Sequence, residues 1–594
     1  MARRTRRLVE HRAGSDLTID LTDLELARNA LEGIADAMAI TLYRTARSAV
    51  VRLGWDFSTA VLTETGELVG QGMCHPIHLG GMMPALAGCL VRYGRDMHPG
   101  DVLITNDPYE GAQHLPDVYL FKPVFLDEEP VGFVGAICHH SDIGGRVPGG
   151  QGFDNTEIHQ EGLRIPPLKL VERGRPNETI YRLIDKAVRT PDRVRGDLRA
   201  QISAITLGER ELVKVVERFG LPEYRALVAA LIEHTERLTR QAIRGLPDGS
   251  WQFADQVDSD GITDEPITIA VRVTKAGDEI DVDFTGTSPQ CAGSIVGLFH
   301  MNTNFVHMAL RSLLGADLPN TAGFFRPITI SAPPGTFVHP LPPAAVGARQ
   351  VGGRRINHAL WGALAQMAPD RAFACPGGAD AGLAHSGLDR TRTPWRSWVL
   401  TEGFNETACG GRHTRDGMDG QGSNVTNQAN TPVEVLEAEF PIRVVEYGFA
   451  RDSEGAGKFR GGLAMVRTYE YVVDDVQVRV RSDRWTRPPW GVFGGQSAAG
   501  PGVTLRSDGA ERDLPGKCLV TVRRGDRLRT QWCGAGGYGD PLDRDPRRVL
   551  EDVIEEKITP ARARETYGVV IDVERRSVDP AATERQRAAL RGAR

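Results

Sequence analysis

No stretch of this 594-residue chain approaches the ~18 consecutive apolar residues of a membrane-crossing helix. Its Arg-rich start runs into Leu8-Val9-Glu10-His11, not into the apolar core of a signal peptide, so a soluble, cytoplasmic protein with no membrane partner is expected. A cationic excess is also missing: 71 Lys plus Arg stand against 77 Asp plus Glu, a net charge of −6. Without an overall positive field no nucleic acid partner is expected, and the run Arg3, Arg4, Arg6, Arg7 and Arg12 reads as a solvated terminus. The eight cysteines (74, 89, 138, 291, 375, 409, 518 and 533) include no C-x-x-C pair, which speaks against a disulfide frame or a thiolate zinc site.

Nucleotide-binding signatures are absent as well. No G-x-x-x-x-G-K-[ST] occurs; Gly455-Ala-Gly-Lys458-Phe lacks both the spacing and the hydroxyl. Gly534-Ala-Gly536-Gly-Tyr-Gly539 satisfies G-x-G-x-x-G, yet Pro541 and Pro546 follow where a Rossmann helix would run. There is no G-x-S-x-G elbow either.

What the chain has in plenty is glycine (67) and proline (36), which excludes a coiled coil or helical solenoid, while 41% apolar residues suffice for buried cores. Leu24, Ala27, Leu31, Ile34, Met38 and Leu42 recur at helical spacing over about 22–50, behind a capping box at Thr22 and Glu25. Strand-and-loop texture fills 56–170, helices are expected at about 190–218 and 222–245, and strands return over 251–335. A Gly-rich middle (345–432), a second β-rich block (442–540) and a helical tail follow. The expected fold is α+β and multi-domain, with β-rich mixed sheets and flanking helices. The expected parts are a basic tail (1–22), a metal-site α+β domain (23–250), a central β/Gly-rich domain (251–440), a second β-rich domain (441–544) and a C-terminal helical tail (545–594).

Seven of the fifteen histidines lie between His75 and His159. The densest groups are His114-Leu-Pro-Asp117 and Cys138-His139-His140-Ser-Asp142, separated by two apolar runs around Asp127-Glu-Glu-Pro130. That is the pattern of a β-hairpin, and a turn centred near residue 128 pairs positions summing to about 256. Asp117 then faces His139 on one side of the sheet, His140 points to the other, and His114 folds over the same end. Two imidazoles and a carboxylate suit Zn²⁺, Mn²⁺ or Fe²⁺ and leave coordination positions open, as a catalytic metal requires. The same residues would serve equally as hydrogen-bonded loop histidines, Asp107 and Asp142 read also as turn formers, and nothing in the sequence says whether His75 and His78 reach the cluster.

Asn106-Asp-Pro-Tyr-Glu-Gly-Ala-Gln-His-Leu-Pro-Asp117, His139-His-Ser-Asp-Ile-Gly-Gly145, Glu161-Gly-Leu-Arg-Ile-Pro-Pro-Leu-Lys169, Gly196-Asp-Leu-Arg-Ala-Gln201 and Gly536-Gly-Tyr-Gly-Asp-Pro541 together resemble the hydantoinase B/oxoprolinase family. That family includes second subunits of ATP-dependent N-methylhydantoinases, the C-terminal half of 5-oxoprolinase, caprolactamase, and alpha-type subunits of acetone and acetophenone carboxylases. The resemblance runs from about Leu24 to Asp572. It implies a hetero-oligomer with two or more copies, in which an ATP-binding, hydantoinase A-like subunit phosphorylates a small-molecule substrate and the B-type subunit completes the reaction at a divalent metal. Carried over from the carboxylase relatives, the metal ligands are His114, Asp117 and His139, and His140 and Asp142 stand as candidate general bases. The family's usual fourth ligand, a Glu three residues before its Asp-Phe-Ser motif, is Leu53 here.

The expected activity is therefore ATP-dependent hydrolysis of a cyclic amide (hydantoin, lactam or 5-oxoproline-like ring). Ketone carboxylation is the alternative, and a non-catalytic subunit a third reading on account of Leu53. A non-haem iron oxygenase, which also uses two His and one Asp, is disfavoured by the whole-chain resemblance.

Overall fold

The computed structural model describes residues 8–9, 19–72, 75–78, 80–94, 96–315, 317–378, 382–402, 407–422, 424–426 and 428–593. Arg3, Arg4, Arg6, Arg7, Arg12 and Cys74 lie outside them. The chain divides into two units: one of residues 1–250, 273–283 and 297–347, the other of 251–272, 284–296 and 348–594. None of the described helices is long and apolar enough to cross a membrane.

The first unit opens with α1 (Leu21–Thr45), whose expected apolar positions from Leu24 to Leu42 are all buried. Its start is capped by Asp20, which accepts from Thr22 N, and not by Thr22; a carboxylate one step earlier also suits the positive end of the helix. The helix stops at Thr45 instead of running to 50, because Ala46 is extended and a short α2 (Ala49–Arg52) restarts behind Ser48. There follow β1 (Phe57–Leu62), β2 (Leu68–Gln71), α3 (Met82–Tyr93), β3 (Val102–Thr105), β4 (Asp117–Leu126), β5 (Glu129–His139), β6 (Leu168–Glu172) and β7 (Arg175–Pro176). These strands form one antiparallel sheet in the order β2-β1-β5-β4-β3-β6-β7. The β4–β5 hairpin sits at its centre.

One face of this sheet packs Ala60, Tyr119, Phe121 and Ile137 against Met82, Leu86 and Cys89 of α3. After α4 (Glu178–Ala187), the helices α5 (Pro191–Phe219) and α6 (Leu221–Arg244) match the expected pair, with Pro222 in the first turn of α6. α5 lies along α1 and against β4 and β5. The chain passes between the units along β8 (Gly249–Val257) and β9 (Ile267–Ala276). In β9, Ile267, Ile269, Val271 and Val273 are buried in alternation, as the sequence pattern predicts. β10 (Glu279–Asp283) pairs in parallel with β11 (Ile328–Ser331), on either side of α7 (Phe299–Leu314) in the sequence.

The longest stretch of the second unit, 348–594, opens with α8 (Gln350–Met367), buried on nearly every side. The sequence reading leaves 345–432 as a Gly-rich middle, because a helix buried all round shows no apolar stripe and Gly352-Gly353 argues against one. Next come β12 (Gly382–Asp389), β13 (Arg396–Glu402), α9 (Val433–Glu439), β14 (Ile442–Phe449), β15 (Met465–Tyr471), β16 (Val476–Arg481), β17 (Gly502–Ser507), β18 (Ala510–Asp513), β19 (Lys517–Val522) and β20 (Arg527–Gln531). They form two antiparallel sheets, β13-β12-β16-β19 and β14-β15-β20-β17-β18. Trp398, Leu400, Tyr469, Tyr471, Val478, Val480, Val503, Leu528 and Trp532 share one core between them. The tail forms α10 (Pro546–Ile554), α11 (Pro560–Glu565) and α12 (Pro580–Gly592), and Val549, Ile558, Ala563 and Tyr567 cluster with Ala456. The Gly534–Gly539 run is not a nucleotide loop: a Cβ on Gly536 would collide with Trp490 O, so its glycines serve backbone packing.

A charged network is buried in this unit. Arg484, at φ +78°, donates to Asp255 (2.8 Å), His358 Nδ1 (2.9 Å) and Cys375 Sγ (3.0 Å). Arg355 pairs with Asp483 and lies 3.6 Å from Asp255. Burial raises the Asp483 carboxyl above its ordinary range, although the Arg355 cation opposes this.

Candidate metal centre

The loop leading into β4 is tied down before it delivers its side chains. Asn106 donates to Leu115 O (2.7 Å) and Leu163 O (3.0 Å) and accepts from Ile165 N (2.6 Å). Asp107 caps the next turn through Tyr109 N and pairs with Arg164 (2.8 Å). Two of the motifs that carry the resemblance thus clamp each other.

His114-Leu-Pro-Asp117 is a tight turn closed by Asp117 N donating to His114 O (3.0 Å). It brings His114 Nδ1 to 2.7 Å from Asp117 Oδ2. In the β4–β5 register Asp117 faces His139, and the His114 and His139 rings stand 5.1 Å apart. His139 N donates to Asp56 O (3.1 Å), and Gln151 Nε2 lies 2.5 Å from His139 Nε2. One donor atom from each of His114, Asp117 and His139 falls within 4.8 Å of the other two. Among the described residues no other group of three or more His, Cys, Asp or Glu has such spacing. All three side chains are buried, at 0–4% exposure. Two nitrogens and a carboxylate converging in a dry site are the donor set of a divalent transition metal, so the residues fit the cation that the resemblance implies.

The remaining expected residues lie elsewhere. His140 points to the opposite side, as the strand period predicts; its N donates to Pro116 O (2.8 Å) and its Nε2 lies 3.1 Å from Gln201 Oε1 of α5. Burial holds the His140 imidazole below its ordinary range, against the opposing pull of Asp197 and Gln201. Asp142 accepts from Gly149 N (3.0 Å) and Arg189 Nη1 (3.1 Å), which makes it a brace between loops. His78 Nδ1 bonds Ser58 Oγ (2.7 Å), with the His75 ring 5.0 Å away; neither belongs to the three-residue group. Leu53 is the C-cap of α2 and brings no donor atom. Cys138, between strand neighbours, is a buried thiol pushed well above its ordinary range by burial.

Two glutamines escape the sequence reading. Gln201 donates from Nε2 to Val118 O (2.9 Å) and Ala136 O (3.1 Å), clipping β4 to β5 beside the cluster; its place in the Gly196–Gln201 motif is the available signal. Gln151 follows Gly149-Gly150 in a loop that carries none.

A family profile described as hydantoinase B/oxoprolinase matches residues 20–541. A putative D-/L-hydantoinase B subunit of Pseudomonas sp. (strain NS671) is 31% identical over 576 residues, 93% of this chain and 95% of that one. The beta chain of the Pseudomonas jessenii caprolactamase is 31% identical over 581 residues, 96% of this chain and 100% of the relative. The crystal structure of the ATP-dependent caprolactamase from that organism superposes with a TM-score of 0.89, covering 96% of this chain and 100% of that one. A nucleotide-free acetone carboxylase structure shares the fold at a TM-score of 0.89 and 19% identity, over 96% of this chain and 83% of that one. With the motifs, the fold and the whole-length similarity in agreement, this chain belongs to the hydantoinase B/oxoprolinase family.

Proposed function

We propose that this chain is the B-type subunit of an ATP-dependent cyclic-amide hydrolase, acting on a ring that a hydantoinase A-like subunit has phosphorylated on its amide oxygen. The observation that carries the reading is the buried His114–Asp117–His139 group, in a chain similar over its whole length to subunits of a caprolactamase and a hydantoinase.

An unactivated amide resists water because its carbonyl is resonance-stabilised. Phosphorylation turns that oxygen into a leaving group and the ring carbon into an electrophile. Water then adds to that carbon and the ring C–N bond breaks as the nitrogen takes up a proton, which leaves an acyl phosphate; a second water hydrolyses it to the carboxylate and inorganic phosphate. Zn²⁺, Mn²⁺ or Fe²⁺ held by His114, Asp117 and His139 would supply a Lewis acid that polarises the substrate oxygen and acidifies water. The chain's own part is to hold the three donors in register across β4 and β5, to fix His114 against Asp117, and to exclude bulk water. His140 and Asp142 have partners outside the cluster, so we assign them to holding the loops and not to proton transfer.

The test is to co-express the chain with its A-like partner. ATP consumption is then measured across hydantoins, lactams, 5-oxoproline and ketones with bicarbonate, alongside metal content. Ring opening coupled to ATP use, with about one metal per chain, is expected. ATP turnover only with a ketone and bicarbonate overturns hydrolysis in favour of carboxylation. Absence of bound metal, with turnover unchanged in His114→Ala, overturns the metal site and supports a non-catalytic role.

A further inference from the structure

The metal group offers two imidazoles and one carboxylate, and Leu53 adds no donor to them. A fourth polar side chain ends among these atoms. Gln151, 5% exposed, brings the tip of its amide to 2.5 Å from His139 Nε2, as close as His114 and Asp117 come to each other (2.7 Å).

The loop around Gln151 is fixed on both sides of it. Gly149 and Gly150 take left-handed backbone, at φ +76° and +66°, a conformation that glycine adopts without strain. Gly149 N donates to Asp142 Oδ1 (3.0 Å) and Gly150 N to Val147 O (3.1 Å). A Cβ on Gly150 would stand 3.3 Å from Pro116 Cγ, so this segment lies against the His114–Asp117 turn itself. On the other side, a Cβ on Gly152 would press to 2.9 Å on Asn155 Oδ1, which accepts from Arg146 Nε (3.0 Å).

Chemistry decides which end of the amide faces the group. Nitrogen and oxygen exchange places by a half-turn that leaves the shape unchanged. An N–H donates to an imidazole nitrogen only while that nitrogen's lone pair is unused, and a nitrogen that ligates a cation has spent it. A carbonyl oxygen is itself a ligand, one that suits Mn²⁺ well.

We propose that Gln151 completes the metal centre of this chain, its side-chain oxygen ligating the cation together with His114, Asp117 and His139. The assignment rests on the metal reading of that group and holds for hydrolysis and carboxylation alike. A glutamate at position 53, the donor that the resemblance implies, would be anionic, whereas the Gln151 amide is neutral. A divalent ion on a single carboxylate keeps one positive charge in a dry site, which calls for an anionic partner such as a phosphorylated substrate.

The test titrates Mn²⁺ into the full-length chain and its variants. Affinity is read from the electron paramagnetic resonance of the free ion, and inner-sphere water from the longitudinal relaxation of water protons. Gln151→Ala should weaken Mn²⁺ by at least the ~10-fold that even an outer-shell change costs, and the bound ion should gain a water in place of the amide. Gln151→Glu keeps the shape and restores a second carboxylate, so it should bind Mn²⁺ about tenfold or more tightly than wild type, at unchanged water number. Weaker binding in Gln151→Ala with no added water overturns the assignment and makes Gln151 a support for His139. Affinities equal to wild type in both variants overturn it as well, and either result leaves the metal reading standing. Wild type that binds no Mn²⁺ and does not differ from His114→Ala overturns the metal reading and this assignment together.

Discussion

Asp117 of β4 faces His139 of β5 directly across the strand pair, and His114, one turn earlier, closes to 2.7 Å on the same carboxylate. Asp117→Asn keeps the shape and removes the charge. Bound metal measured by mass spectrometry should fall from about one per chain to a small fraction, a loss of at least the ~10–100-fold typical of outer-shell changes. The far-ultraviolet circular dichroism should be unchanged. Full metal occupancy in this variant would remove Asp117 from the ligand set.

Gln201→Leu removes the clip between β4 and β5. It leaves Val118 O and Ala136 O without their side-chain donor and His140 Nε2 without Gln201. Unsatisfied buried groups of this kind cost about 1–3 kcal/mol each, so the urea midpoint should drop clearly at unchanged slope. A midpoint equal to wild type would show that water replaces the amide.

Arg484→Met strips Asp255 of its nearest cation inside the second unit, where both side chains are almost wholly buried. Breaking one half of a buried pair costs about 3–5 kcal/mol. Adding Asp255→Asn should recover part of the loss, a coupling read from the four chemical denaturation curves. Strictly additive losses would argue against a direct pairing.

Acid should destabilise the protein well before its carboxylates titrate. Burial lowers the imidazoles of His307, His358 and His385 to about 3 from an ordinary 6.5, with Arg355 pushing the same way at His358 and Arg467 at His385. Each folded value lies below the unfolded one, so the unfolded chain takes up the proton first. The stabilisation is complete above pH 6.5 and is lost as pH falls from there towards 3. Each imidazole adds a slope of about 1.4 kcal/mol per pH unit in that window. Urea midpoints at pH 7, 6 and 5 check this, and His385→Asn should flatten the profile by one proton's worth. A flat profile from pH 7 to 5 would contradict it.

The metal-centre hairpin is legible in the sequence because strand pairing obeys a period of two and its turn residues mark the fold-back. Even so, the route to the predicted register is less simple than a symmetric turn. Asp127 takes φ +55° in a two-residue turn, and a bulge between Val124 and Phe125 shifts the pairing by one, which restores Asp117 to His139. The partners of His140 and Asp142 are not legible, since Gln201 and Arg189 reach them from helices and loops some fifty residues on, and no local pattern encodes that meeting. Helix α8 is invisible for the opposite reason: buried on nearly every side, it has no polar stripe to set its period.

Each of the two units is assembled from three separate stretches of chain, so the polypeptide leaves and re-enters both more than once. No single cut yields two self-sufficient fragments. Efforts to express a half-length version, to exchange one unit between relatives by a single crossover, or to place an affinity tag inside 251–347 would each divide one unit's strands from their partners. Recombination within this family should instead respect the whole span from α1 to the tail.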